Sequence, residues 1–129
     1  MRVGLDTHFF LKLFQGDGKA LDIWDDAFSG QVEAVVPVCV LYELKRLVMD
    51  GVVREEPFNI LVSLLDGKGF VVPADGDAAL KAAQIAHGTG MKLSDALVCV
   101  ICEDCHVIYT DRDILRKVYP KNRPRIEKL

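Results

Sequence analysis

Hydrophobic and polar positions along the chain follow two different periods. Short apolar or β-branched runs predict strands at Arg2–Leu5, Ala34–Val38, Gly69–Val72 and Val107–Tyr109, with Pro124–Leu129 as a last edge strand. Between these runs the apolar residues recur every three or four positions, which predicts helices. The predicted helices are one that Thr7 caps and that runs to Phe14, then Lys19–Phe28, Val40–Met49, Glu55–Leu65, Asp77–His87, one over Asp95–Cys105 that Ser94 caps, and Asp113–Val118.

Strands that alternate with helices imply βαβ units, so we expect an α/β fold with a parallel sheet covered by helices on both faces. The length of 129 residues fits a single domain over 1–129. Half of the residues are hydrophobic, which is enough for one core without disulfides or a structural metal. Ligands of such sheets bind beyond the carboxyl ends of the strands, near the point where the strand order reverses.

Charge is distributed unevenly along the chain. Residues 1–111 carry 17 acidic and 9 basic side chains, whereas residues 112–129 carry 2 acidic and 7 basic ones. The basic segment either contacts phosphates or is simply solvated. The N-terminal sequence MRVGLD does not resemble a secretory signal, and no apolar window has the length of a membrane helix. We therefore expect a cytoplasmic protein with reduced cysteines and no membrane contact.

Four acidic residues occupy positions that suit a site at the sheet edge. Asp6 directly follows the first predicted strand, and Asp111 lies just after the strand that ends at Tyr109. Glu43 lies near the start of the helix that leaves the second strand, and Asp95 lies at the start of an apolar helix.

The surroundings of two of these acids favour a bound cation. Asp95 and Glu43 border helices rich in apolar residues, where a carboxylate is costly unless a positive charge compensates it. Lys92 is the only basic residue near Asp95 in sequence, so a metal ion would supply the missing charge. An all-oxygen ligand set suits Mg²⁺ or Mn²⁺. Taken alone, an Asp such as Asp95 more often complements the dipole at the start of a helix than binds a ligand, and a Glu such as Glu43 is more often a surface residue of its helix.

The chain resembles PIN-domain nucleases, such as the VapC toxins of prokaryotic toxin–antitoxin pairs, in four segments that occur in the expected order. These segments are GLDTHFFLKLF, PVCVLYELKRL, KLSDALVCVIC and VIYTDRDIL. The resemblance covers essentially the whole chain. It implies a three-layer α/β/α sandwich with a five-stranded parallel sheet.

The resemblance also implies the chemistry of the site. Asp6, Glu43, Asp95 and Asp111 match the acids that bind Mg²⁺ or Mn²⁺ and catalyse metal-assisted hydrolysis of phosphodiester bonds in RNA. Asp113 matches an accessory acid of the last motif and is a fifth candidate metal ligand. The supporting positions are Thr7, which matches the hydroxyl residue beside the first acid, Ser94 and Thr110. In the last motif Thr110 touches Asp111 without the intervening residue common in the family, so Asp113 is an alternative to Asp111 as the main ligand.

Partners implied by the resemblance are an RNA substrate, an antitoxin protein and a second copy of the chain. Apolar helices such as Asn59–Leu65 exceed what one small core can bury, which also favours a homodimer. The enzyme would act either as a VapC-like toxin or in RNA processing. The alternative is an inactive PIN-like module that binds RNA or a partner protein without cutting, and the presence of all four acids favours the enzyme.

Cysteine and histidine residues suggest other sites, which we rank lower. Residues 102–106 match the CxxCH haem-attachment pattern, but such attachment occurs outside the cytoplasm. Cys99, Cys102 and Cys105 would share one helix face, which favours core packing over a cluster or zinc site with Cys39 or His106. His8 lies near the acids, where it either contacts substrate or is a surface residue.

Overall fold

The computed structural model describes residues 1–129 and contains one parallel sheet. Its strands are β1 (Arg2–Leu5), β2 (Glu33–Pro37), β3 (Val71–Val72), β4 (Val107–Tyr109) and β5 (Arg125–Glu127). They pair in the spatial order β3-β2-β1-β4-β5, and every pair is parallel. β1 is therefore the central strand, and the strand order reverses beside it. The carboxyl ends of β1 and β4 are where a ligand site is expected.

Six α-helices and one short 3₁₀ helix complete the fold. They are α1 (Thr7–Phe14), α2 (Gly18–Phe28), α3 (Val38–Met49), α4 (Glu55–Lys68), α5 (Gly76–Thr89), α6 (Leu93–Ile101) and the 3₁₀ helix Asp113–Lys117. None of them combines the length and the apolar character that crossing a lipid bilayer requires.

Alternate residues of each strand face opposite helical layers. In β4, Val107 and Tyr109 pack into a core that they share with α1, α2, α3 and α4, whereas Ile108 packs into a second core with α5, α6 and the 3₁₀ helix. The first core contains an edge-to-face aromatic pair, Phe9 and Phe10, whose ring centroids are 5.2 Å apart. The predicted three-layer α/β/α sandwich with a five-stranded parallel sheet is confirmed.

Two predicted helix caps are wrong. Asp6, not Thr7, caps α1: its Oδ1 accepts the backbone N–H of Thr7 at 2.8 Å, and Thr7 is the first helical residue. α6 begins at Leu93, so Ser94 lies inside its first turn, and Lys92 precedes the helix without a side-chain cap bond. The carboxylate of Asp6 takes the capping role, and the hydroxyl of Thr7 donates to Glu43 instead.

α6 ends at Ile101, four residues before the predicted end at Cys105. Cys102 terminates the helix, and the N–H of Cys105 donates to the carbonyl of Cys102 at 3.0 Å in the turn that leads to β4. The prediction that Cys99, Cys102 and Cys105 share a helix face is therefore wrong, although all three are buried in the second core.

The end of α6 packs directly against β1. A Cβ on Gly4 would lie 2.8 Å from the Sγ of Cys102, a separation that real side chains essentially never show. Gly4 thus allows α6 to approach the central strand closely. Because β1 leads to Asp6 and α6 carries Asp95, this contact helps to set the spacing of the two acids.

Candidate active site

Asp6 is held at the junction of β1 and β4. Its backbone N–H donates to the carbonyl of Tyr109 at 3.1 Å, which continues the ladder between the two strands. Its Oδ1 accepts the N–H of Thr7 at 2.8 Å, and its Oδ2 accepts the hydroxyl of Thr110 at 2.7 Å. Asp6 is only 4% exposed, and Thr110 is 2% exposed. This carboxylate is therefore fixed by neutral donors alone.

Glu43 is joined to Asp6 through the first residue of α1. The hydroxyl of Thr7 donates to Oε1 of Glu43 at 3.1 Å, while the N–H of Thr7 binds Asp6. Glu43 lies on α3 and is half-buried. One threonine thus orients two of the predicted ligands toward the same edge of the sheet.

Asp95 is buried at the start of α6 and is paired with Arg112. Nε of Arg112 lies 3.3 Å from each carboxylate oxygen, and Nη2 lies 3.0 Å from Oδ2. Lys92 is the only basic residue near Asp95 in sequence, but in the fold Arg112 supplies the positive charge that we expected from a metal ion. Arg112 is distant in sequence, but it follows β4 and reaches the beginning of α6 across the sheet edge. Its backbone N–H also donates to Oγ1 of Thr110 at 3.0 Å, so Thr110 binds both Asp6 and the Arg112 segment.

Asp111 and Asp113 have different surroundings. Oδ2 of Asp111 lies 3.7 Å from Nδ1 of His8, at the rim of the site. Nε2 of His8 is buried without a hydrogen-bond partner. Asp113 is 88% exposed and pairs with Arg116 in the next turn. Of these two acids, only Asp111 is close enough for its charge to act on Asp6.

The acids influence one another through their charges. Burial raises the pKa of Asp6 above its usual range, and the charges of Asp95 and Asp111 raise it further, while the bonds from Thr110 and Thr7 lower it. Acidic side chains this close together form a region of negative potential, which favours a proton or a cation.

Glu43 belongs to the same charged group. Burial raises the pKa of Glu43, and the charge of Asp6 adds to this, whereas the hydroxyl of Thr7 and the charge of Lys92 lower it. The structure therefore brings Asp6, Glu43, Asp95 and Asp111 to one edge of the sheet and leaves Asp113 outside.

The donor chemistry of this edge fits a divalent metal ion. Carboxylate and hydroxyl oxygens are the ligands that Mg²⁺ and Mn²⁺ prefer, and a cation would relieve the mutual repulsion of the acids. No three His, Cys, Asp or Glu side chains are spaced so that they could hold one ion in the conformation described. Both oxygens of Asp95 are engaged by Arg112. A divalent ion would therefore bind to these acids only after side chains move.

Shallow depressions border the acids on the α3 side. One of about 250 Å³ is lined by Thr7, Tyr42, Glu43, Arg46 and Leu47, and another of about 380 Å³ by Cys39, Tyr42, Lys92, Leu93, Ser94 and Leu97. Tyr42 lies between them with 63% of its surface exposed.

The sequence analysis assigned no role to Tyr42 or Arg112. The one sequence feature that indicates Arg112 is its place between two acidic residues just after a strand.

Comparison with protein families gives one result. The sequence pattern of the PIN domain matches residues 3–119. No curated protein matches the chain. The matched span includes the four acids, all of β2, β3 and β4, and β1 except its first residue. The chain thus belongs to the PIN-domain family, whose domains are generally nucleases that act on nucleic acids with divalent metal ions.

Proposed function

We propose that this protein is an endoribonuclease that hydrolyses RNA phosphodiester bonds with Mg²⁺ or Mn²⁺. The observation that carries the proposal is the convergence of two buried carboxylates, Asp6 and Asp95, with Glu43 and Asp111 at the carboxyl ends of β1 and β4. Buried acids that repel one another lower the stability of the fold. Binding a catalytic cation would explain why the site contains them.

Each acid has a proposed role. Asp6 and Asp95 are the main metal ligands, and Glu43 and Asp111 bind a second ion or orient the attacking water. When bound, the metal supplies Lewis-acid polarisation of the scissile phosphate and stabilises the charge that develops there. Thr110 holds the carboxylate of Asp6 in place, and Thr7 holds that of Glu43. The exposure of Asp113 favours Asp111 as the ligand of the last motif.

Single-stranded RNA suits the surroundings of the site. Tyr42 presents an exposed ring beside Glu43, and its hydroxyl accepts a hydrogen bond from Arg46 at 3.1 Å. An aromatic ring next to basic side chains is a common way to stack bases and neutralise phosphates. Lys92 adds positive charge beside Glu43, where its charge lowers the pKa of that carboxyl.

The biological role we propose is that of a VapC-like toxin or an RNA-processing nuclease. A toxin would require an antitoxin protein, and co-purification of the chain with the product of a neighbouring gene would favour that role. A homodimer is also part of the proposal, because α4 leaves Ile60 55% exposed and Leu64 39% exposed. Light scattering on the purified protein would give its mass in solution.

The second candidate function is a module that binds RNA without cutting it. The ion pair between Arg112 and Asp95 favours this candidate, because it occupies one of the proposed ligands. Cleavage and binding assays on the same protein separate the two functions.

The test uses a labelled single-stranded RNA with Mn²⁺, with Mg²⁺ or with a chelator. We expect cleavage only with a metal, leaving 5′-phosphate and 3′-hydroxyl ends. Asp6→Asn should slow cleavage at least about a hundredfold, the scale of losing one group that stabilises a transition state. Asp22→Asn, an exposed acid on α2, is the control and should cut at the wild-type rate. RNA binding without any metal-dependent cleavage would support the non-cutting module instead.

A further inference from the structure

The contact between Arg112 and Asp95 is the most extensive ionic interaction in the candidate site. Three hydrogen bonds of 3.0–3.3 Å join the guanidinium to both oxygens of the carboxylate. A planar guanidinium that engages both oxygens fixes the geometry of the pair as well as its charge. The guanidinium of Arg112 therefore occupies the place beside Asp95 that a bound metal ion would take.

The two partners differ in burial. The side chain of Asp95 is 5% exposed, whereas that of Arg112 is 45% exposed. The guanidinium is already partly hydrated and gains further hydration when it moves into water, whereas the buried carboxylate has no comparable route to solvent. The pair therefore opens by movement of Arg112, with Asp95 left in place at the start of α6.

The backbone of Arg112 is anchored independently of its side chain. Its N–H donates to Oγ1 of Thr110 at 3.0 Å, and the hydroxyl of Thr110 donates to Asp6 at 2.7 Å. The guanidinium can thus leave Asp95 without disturbing the residues that hold Asp6. Asp111 and Asp113 flank Arg112 in sequence and lie on the solvent side of the site.

From these observations we propose that Arg112 is the resident counter-ion of Asp95 and competes with the divalent cation for it. This inference rests on the proposed function, in which Asp95 is a metal ligand. Without metal, Arg112 neutralises a buried carboxylate that would otherwise destabilise the fold. When a cation binds, the guanidinium is displaced toward solvent. Arg112 consequently weakens metal binding and keeps the metal-free site compensated.

The experiment measures Mn²⁺ binding by titration calorimetry in the absence of RNA, at one pH and one ionic strength. Removing the competitor in Arg112→Ala should tighten Mn²⁺ binding by at least about tenfold, the scale of one charged hydrogen-bonded contact. The Mn²⁺ affinity of Arg112→Lys should lie between those of Arg112→Ala and the wild type. An ammonium group keeps the positive charge but cannot bind both carboxylate oxygens as the planar guanidinium does. Lys117→Ala removes a charge from the same 3₁₀ helix and should leave the affinity within about twofold, as expected for an exposed charge.

Thermal unfolding provides a second readout that separates competition from a structural role. Metal-free Arg112→Ala should melt at a lower temperature than the wild type, because Asp95 loses its partner. Saturating Mn²⁺ should raise the melting temperature of Arg112→Ala more than that of the wild type. The double variant Arg112→Ala/Asp95→Asn removes both charges and should lose this extra gain. If Arg112→Ala does not fold, Arg112→Lys carries the same comparison.

Several outcomes would overturn the inference: unchanged or weaker Mn²⁺ binding in Arg112→Ala, an equal gain in Lys117→Ala, or no binding in any variant. Failure of the proposed function looks different. A protein that binds Mn²⁺ more tightly without Arg112 but cuts no RNA would uphold this inference and refute the nuclease. A protein that cuts RNA with Mn²⁺, but whose Mn²⁺ affinity is the same with and without Arg112, would support the nuclease and refute this inference.

Discussion

Asp6 and Asp95 are both buried carboxylates at one edge of the sheet, but the fold stabilises them in different ways. Asp6 receives a backbone N–H and a threonine hydroxyl and contacts no cationic side chain. Asp95 accepts three hydrogen bonds from the guanidinium of Arg112. The negative charge of Asp6 therefore remains available to a cation, while that of Asp95 is already neutralised. If a cation binds both acids, as we propose, Asp6 is already oriented for it, whereas Asp95 would have to exchange Arg112 for it.

The largest predicted effect concerns the contact that sets the spacing of the two halves. Gly4→Ala should lower the free energy of unfolding by about 3 kcal/mol, because the new Cβ overlaps Cys102 in a tightly packed core. Gly67→Ala is the matched control, since its Cβ would meet nothing within 4 Å. Urea unfolding of both variants checks this, and equal stability of the two would contradict the close approach of α6 to β1.

Thr110→Val tests the half of the site that neutral donors hold. It removes the hydroxyl that binds Asp6 and the acceptor of the Arg112 N–H, and it leaves the shape of the side chain nearly unchanged. We expect a loss of about 2 kcal/mol in the free energy of unfolding, the cost of leaving buried polar groups without partners. A loss below the error of urea unfolding would mean that Asp6 does not depend on this hydroxyl.

Arg112→Ala tests the half that a cation holds. In metal-free protein we expect a loss of about 1–2 kcal/mol, less than for a fully buried pair because Arg112 is 45% exposed. Added Mn²⁺ should reduce the difference from the wild type. A deficit that persists at saturating Mn²⁺ would show that Arg112 stabilises the fold in a way that a cation does not replace.

Thr7→Val should have a smaller effect on stability, below about 1 kcal/mol, because its bond to Glu43 is only partly buried. Cleavage should nevertheless slow by about tenfold, the scale on which residues that orient metal ligands act. Measuring both quantities on one preparation tests the assignment, and a variant with full cleavage activity would remove Thr7 from the site.

The smallest effect is a dependence of stability on pH. Burial raises the pKa of Asp6 above its ordinary value of 3.8, so the folded protein binds this proton more tightly than the unfolded chain does. The resulting stabilisation is present at low pH and is lost as the pH rises from the ordinary carboxyl range through the raised pKa. The free energy of unfolding should be measured for the metal-free wild type and Asp6→Asn at several pH values. As the pH rises, the free energy of the wild type should fall relative to that of Asp6→Asn. The opposite trend would contradict an uncompensated Asp6.

Local patterns predicted much of this molecule. β1 and β4 have the bounds that their apolar runs predicted, because buried central strands of a parallel sheet are continuous in hydrophobicity. The end of α6 was missed for a related reason: Cys102 and Cys105 continue the apolar pattern after the helix has ended, since the turn and the helix line the same core. Hydrophobicity reports burial, but it does not report where the backbone changes direction.

The sequence predicted which acids lie at the candidate site, but it did not predict the side chains that bind them. Asp6 and Asp111 follow strands, so their position at the sheet edge follows from topology. Arg112 pairs with Asp95 across 17 positions of sequence, and only the fold brings them together. The bond between Thr7 and Glu43 links two helices in the same non-local way. Whether these residues bind metal and cut RNA stays a prediction.

The central claim is that Asp6 and Asp95 serve one metal-dependent cleavage site despite their different partners. The most direct test compares the rate of Mn²⁺-dependent RNA cleavage by Asp6→Asn, Asp95→Asn and the double variant. Each single change should cost at least about a hundredfold, and the double change little more than the worse single one, because groups that act as a unit are not additive. Cleavage at the wild-type rate by either single variant would contradict the claim.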